Sequence, residues 1–267
     1  AVLGGYAGLS LQRASGSTDA RLTYPLIALG AGIGLGGSMI IADEWDVGLG
    51  DAWYLSAAML WPGAAGLLLA ESYNARLNDR YIYGLVGAGS GLALATVSLS
   101  FKGMSDGGAV VTHSGGGFGL ILGGLAQLIY EGKTDVTPTR GMGYGAAAGV
   151  LSAGVLATQV EPLASRVLWI DVGASLGGLT GAAVASPLLV IKGQSSLVRN
   201  RVWLASIGAG MLSGGVLAWW LTRPAPSQVE RRRSSTEFFP WAGVVGFDMD
   251  AKQGARPIYG AGVLGSW

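Results

Sequence analysis

The stretch Asp171-Val172-Gly173-Ala174-Ser175-Leu176-Gly177-Gly178-Leu179-Thr180-Gly181-Ala182-Ala183-Val184-Ala185 decides how the chain is read. Gly173, Gly177, Gly181 and Ala185 stand at every fourth position, so on a helix they form one ridge of small residues. Such a ridge lets two helices in an apolar solvent approach backbone to backbone, where close packing and not hydrophobic burial holds them. The spacing returns at Gly115, Gly119 and Gly123, and again at Ala58, Gly66 and Ala70, with Pro62 at the intervening place.

Outward from this stretch, the chain repeats itself. Ala58, Gly115 and Gly173 lie 57 and 58 residues apart, and Gly32, Gly89, Gly149 and Gly210 are separated by 57, 60 and 61. Self-similarity at a fixed period marks one supersecondary unit, copied. The helix-packing positions are therefore Gly115, Gly119, Gly123, Gly173, Gly177, Gly181, Ala58 and Gly66 in the second segments, and Gly32, Gly89, Gly149 and Gly210 in the first. The opening residues are already repeat-like: Gly8 precedes Gly32 by 24 residues, as Gly66 precedes Gly89 by 23. The chain is expected to be a piece of something longer, with any targeting signal upstream.

Seven apolar stretches follow, at 24–42, 52–70, 81–101, 108–130, 141–158, 166–191 and 202–222. A helix of about 20 residues matches a hydrocarbon core of roughly 30 Å. Short polar breaks between such stretches give antiparallel hairpins. A competing signal is the alternation of Ile27, Leu29, Ala31, Ile33 and Leu35 with small residues, which suits a barrel strand. Barrel strands need only about 9–11 residues, about half the length of these stretches. The expected fold is an all-α membrane protein of about 3.5 tandem helical hairpins, with a transmembrane β-barrel as the alternative.

Composition agrees with a membrane location. Half of the residues are hydrophobic, 47 of 267 are glycine and only 12% are charged, against roughly 25% charged in soluble domains. A net charge of +1 argues against a nucleic-acid surface. Cysteine is absent, which excludes disulfides, thiol catalysis and a Cys-ligated metal, and a single histidine argues against a His-built metal site. No cofactor is expected. Arg13, Arg21, Arg76, Arg80, Lys133, Arg140, Lys192, Arg199 and Arg201 fall on one side of the crossings, a positive-inside pattern. Arg223 and Arg231 to Arg233 break it if all seven stretches cross.

The character changes after residue 222. Residues 223–237 read as a Pro/Arg/Ser linker, and 238–267 as two strand-like runs around Lys252-Gln253-Gly254. The last run, Tyr259, Ala261, Val263, Gly265 and Trp267, resembles the terminal strand of bacterial outer-membrane proteins. A two-stranded cap on the bundle is the other reading.

Leu29 to Gly37, Gly50 to Gly66 and Tyr144 to Gly154 resemble the Gly-rich hairpin-repeat envelope proteins of Gram-negatives, especially myxobacteria-like lineages. The resemblance spans residues 1–222. It implies an envelope location, with the outer membrane slightly favoured over the inner, and no assigned activity.

Candidate chemistry is sparse. Ser56, His113 and Asp171 share one repeat position, but helices pack about 8–10 Å apart, so equivalent positions are expected not to touch, and the three read as polar slots near helix starts. Gly87-Ala88-Gly89-Ser90-Gly91 is similar to the Gly-x-Ser-Gly of rhomboid intramembrane proteases, with Ala88 in place of the first glycine and His113 on the wrong helix. Asp43, Glu44, Asp46 and Asp51 read as a solvated break. Tryptophans and tyrosines, Trp53, Trp61, Trp203 and Tyr83 among them, read as an interfacial belt. The expected function is a non-enzymatic structural or assembly subunit of an envelope complex, partnered by the lipid bilayer and by other copies or other envelope membrane proteins. A pore or transporter is the alternative.

Overall fold

The structure is a computed structural model that describes residues 2–17, 19–44, 46–190, 195–223, 237–250 and 254–266. It divides into two units, Ala1–Trp219 and Trp220–Trp267.

The first unit is helical throughout its described regular structure. Its elements are α1 (Val2–Ala14), α2 (Ala20–Glu44), α3 (Leu49–Ser72), α4 (Leu77–Phe101), α5 (Asp106–Glu131), α6 (Thr139–Gln159), α7 (Ala164–Ala185) with a 3-10 turn at Ser186–Val190, and α8 (Ser196–Leu221). Successive helices pair: α1 on α2, α3 on α4, α5 on α6, and α7 on α8 through Gly177 and Gly210. Between pairs, α1 meets α4, α3 meets both α5 and α6, and α5 meets α7.

Seven of these helices are long and apolar enough to cross a membrane. The distribution of side chains explains why lipid is the fitting solvent. Buried hydrophobic positions are mostly alanine, such as Ala57, Ala65, Ala109, Ala146 and Ala157, while Leu29, Ile33, Leu94, Leu151 and Val184 face outward. In water that arrangement would waste the burial of large apolar groups. In hydrocarbon it costs nothing, and small residues inside bring the helices close.

The barrel alternative is not supported, because residues 27–35 lie within α2. A helix satisfies its own backbone hydrogen bonds and needs no strand partner in the membrane. The alternation has a different origin. Gly30 and Gly34 form one four-residue ridge and Gly32 and Gly36 a second, offset by two. Two interleaved ridges imitate a period of two.

Local signals fix the helix ends. Ser105 caps α5, its Oγ accepting the Gly108 N–H at 3.1 Å, and Gly132 closes the same helix at φ 68°, in the left-handed region. Asp51, in the first turn of α3, accepts the Gly48 N–H at 3.2 Å and the Met104 N–H at 2.6 Å. It thereby ties the α4–α5 connection to α3. At the other end, Arg201 donates to the carbonyls of Ile129 (2.9 Å) and Tyr130 (2.6 Å), and Asn200 to Gly132 (3.2 Å), satisfying the carbonyls left open where α5 stops.

The second unit contains β1 (Glu237–Asp250) and β2 (Gly254–Ser266), paired antiparallel with Trp241 opposite Gly262 and a slip in register between Val244 and Gly246. Most of the sequence-read linker, Lys252 and Gln253 of the turn, and Trp267 lie outside the described residues.

Candidate functional site

The sequence-read packing residues fall into two groups. A Cβ added at Gly119 would collide with the Gly145 carbonyl, at Gly123 with that of Gly141, at Gly149 with that of Gly115, at Gly177 with that of Gly210 and at Gly181 with that of Ser206. Gly66 stands against the Tyr83 carbonyl and Gly210 against that of Gly177, while Gly91 meets the carbonyl of Ala58. An added Cβ would lie 2.6 Å from the Gly149 oxygen at Gly115, and 2.7 Å from the Gly214 oxygen at Gly173. Each is a place where only glycine lets the backbones approach. Gly32 and Gly89 are different: nothing lies within 4 Å of a Cβ added at either.

Of the partner glycines, Gly149 and Gly210 were legible from the repeat, whereas Gly141, Gly145 and Gly214 were not; they continue the same four-residue spacing from Gly149 and Gly210. A second contact had no such signal. Trp61 lays its indole on Gly116 of α5, where any Cβ would strike the ring. Trp61 is therefore part of the interior and not of the interfacial belt; its Nε1 is buried without a hydrogen-bond partner. Trp203 also turns inward, donating from Nε1 to the Ala182 carbonyl at 3.0 Å.

The polar layer corrects a sequence expectation. Ser56 Oγ lies 2.9 Å from His113 Nε2, although their equivalent positions were expected to keep them apart. Helix axes can be separated by a packing distance while side-chain tips meet between them, and Gly116 under Trp61 brings α3 and α5 close. Asp171 does not extend this pair. Its Oδ2 accepts from Ser114 Oγ at 2.5 Å, so the contact is with the neighbour of His113. Nor are these slots at helix starts. Ser56 and Asp171 each stand seven residues after the first residue of α3 and α7, and Ser105 is the residue that caps.

The hydrogen bonds around His113 bear on what Ser56 can do. Ser56 Oγ donates to the Trp53 carbonyl at 2.7 Å, and His113 Nε2 is 3.2 Å from the same oxygen. A carbonyl only accepts, so the consistent assignment puts a hydrogen on Nε2, shared between Trp53 O and Ser56 Oγ. The Trp53 and His113 rings meet edge to face at 5.3 Å. Activating a serine needs the reverse polarity, with the imidazole accepting the hydroxyl proton. Ser90, the serine of the rhomboid-like stretch, donates to Gly87 O at 2.9 Å within its own helix.

Polar groups also meet at the helix ends. Lys102 and Glu161 pair at 2.6 Å across the α4 and α6 ends, both exposed, and the lysine holds the Glu161 carboxyl below the usual range by hydrogen bonding and by its charge. Tyr73 and Tyr144 share a hydrogen bond of 2.8 Å, with the Arg140 guanidinium 5.5 Å above the Tyr73 ring. Among the described residues, no three His, Asp or Glu side chains converge as metal ligands.

No family model matches this chain, and no curated protein or solved structure matches it.

Proposed function

We propose that this chain is a non-enzymatic structural or assembly subunit of a bacterial envelope complex, embedded in the membrane. One observation carries the reading: the same backbone contact occurs in each helix pair, between Gly4 and Gly30, Pro62 and Gly87, Gly119 and Gly145, Gly177 and Gly210. The first members stand 58, 57 and 58 residues apart. We read these as copies of one glycine-zipper hairpin, about three and a half in all, stacked side by side. Such a stack is stiff along its backbone contacts and offers lipid and neighbouring subunits a broad apolar exterior. The polarity of the Ser56–His113 bond supports the non-enzymatic reading.

Helical spans with basic residues gathered at the α1–α2, α3–α4 and α5–α6 connections support an inner-membrane placement by the positive-inside rule. The outer membrane, favoured by the strand-like terminus, is the alternative. Association with further copies or with other envelope proteins belongs to the proposal.

A pore or transporter is the second reading. Its support is the pairing of Asp171 with Ser114, and of His113 with Ser56, inside membrane-length helices, since ionisable groups at such depth usually mark a pathway. Conductance of the purified protein in planar bilayers separates the two. The scaffold reading expects a baseline equal to that of lipid alone. Unitary steps that disappear in Asp171→Asn would transfer the function to a pore.

A further inference from the structure

Helices α5, α7 and α8 enclose an apolar groove of about 320 Å³, lined by Phe118, Leu122, Ile170, Ala174, Met211 and Trp219 among others. Gly215 forms part of its wall, and a Cβ there would sit 3.4 Å from Ala174 Cβ. On α7 the lining residues Ile170 and Ala174 continue a four-residue series that begins at Arg166. Arg166 therefore stands on the groove face, at its outer end and in the first turn of α7. From Arg166 to Ala174 the face runs about 12 Å along the helix, at 1.5 Å per residue. Trp219 stands at the same end on α8: Arg166 Nη2 donates to the Trp219 carbonyl at 3.2 Å, and the guanidinium lies 5.8 Å from the indole centre. Arg166 Nε is buried without a hydrogen-bond partner, and the protein engages the guanidinium through Nη2, so the remaining Nη hydrogens are the donors left for a ligand.

We propose that this groove is a binding site for an anionic phospholipid, with one acyl chain along Ile170 and Ala174 and the phosphate on Arg166. Two features choose this occupant over a protein helix. The groove opens past Leu212 and Val216, lining residues exposed on a membrane-length helix, and its run of about 12 Å, most of the roughly 15 Å of one leaflet's hydrocarbon, ends at a cation in the first turn of α7. Asp171, the nearest carboxylate on α7, points to Ser114 of α5 and leaves the arginine end to the ligand. Trp219 at the mouth is a residue type suited to the interface.

The test is native mass spectrometry of the delipidated full chain, offered phosphatidylglycerol or phosphatidylcholine with identical acyl chains. Phosphatidylglycerol should be retained about fivefold better, the effect of roughly 1 kcal/mol per basic residue at a membrane surface. Arg166→Gln should erase the preference and Arg166→Lys should keep most of it. Val216→Trp, which fills the groove from an exposed wall position, should reduce the binding of both lipids. Equal retention of the two lipids by the native chain would overturn the proposal, as would a preference that survives Arg166→Gln. Full displacement by sn-glycerol 3-phosphate would show a plain anion site and defeat the role of the groove. Unchanged lipid binding in Val216→Trp would defeat it independently of Arg166.

Discussion

Gly30 and Gly32 are two residues apart on α2, yet their surroundings have nothing in common. A Cβ at Gly30 would strike the Gly4 carbonyl of α1, and a Cβ at Gly32 would meet nothing within 4 Å. The same split separates Gly87 and Gly91, set against Pro62 and Ala58, from Gly89 between them. Glycine content gives a helix the capacity for close approach. The phase of the ridge relative to its partner decides which glycines use it, and two residues on a helix is more than half a turn.

Substitutions can break this comparison directly. Gly119→Leu forces a side chain into the Gly145 carbonyl and should destabilise the protein by about 3 kcal/mol or more, since backbone cannot move aside as a side chain does. Gly32→Leu should be neutral, or stabilising by up to about 1 kcal/mol through helix propensity. Denaturant titration in mixed micelles measures both. Gly116→Ala places a methyl against the Trp61 ring, and because a side chain can yield, the expected cost is smaller, about 1–3 kcal/mol. The same titration ranks it between the first two. Ser114→Ala removes the donor to Asp171 and should cost about 1 kcal/mol, the usual size of an interhelical hydrogen bond in a membrane.

The smallest effect belongs to Lys102 and Glu161, outside the spans. The folded carboxyl titrates lower than the unfolded one because of the lysine. Its contribution is therefore complete above the ordinary glutamate range and is lost as pH falls through the lowered value. Both groups are exposed and screened by salt. Glu161→Gln should flatten the acid limb of stability below the ordinary glutamate range only slightly, and less at high salt; a large change would mean that the pair is shielded from solvent.

Much of the helical unit was legible in the sequence, for a physical reason. Stretches such as 108–130 and 141–158 are apolar for the length of a membrane crossing, and α5 and α6 extend each by only a few polar residues. Length and hydropathy are one-dimensional properties. Contacts between helices are not, and here the reading fell short. Gly32 and Gly89 were aligned by period and not by the phase of the packed face, so residues two positions away carry the contacts. Ser56 and His113 were judged by the distance between helix axes, which says little about where a serine and an imidazole end. Trp61 gave no sign that Gly116 would receive it, because the fit of an aromatic ring on a glycine depends on the crossing of α3 and α5. Ser114 stands one residue after the repeat position of His113, and nothing in its spacing marks it as the partner of Asp171.

The most direct test sets Gly177→Leu beside Leu179→Ala on the same helix. Gly177 meets the Gly210 carbonyl, while Leu179 is 67% exposed. In a micellar unfolding titration, the glycine substitution should lower the midpoint severely or abolish folding, and the leucine substitution should stay within about 0.5 kcal/mol of the native chain. Equal losses from the two would show that the helices are not held by glycine contacts, and the account of this protein as a glycine-packed membrane scaffold would fail.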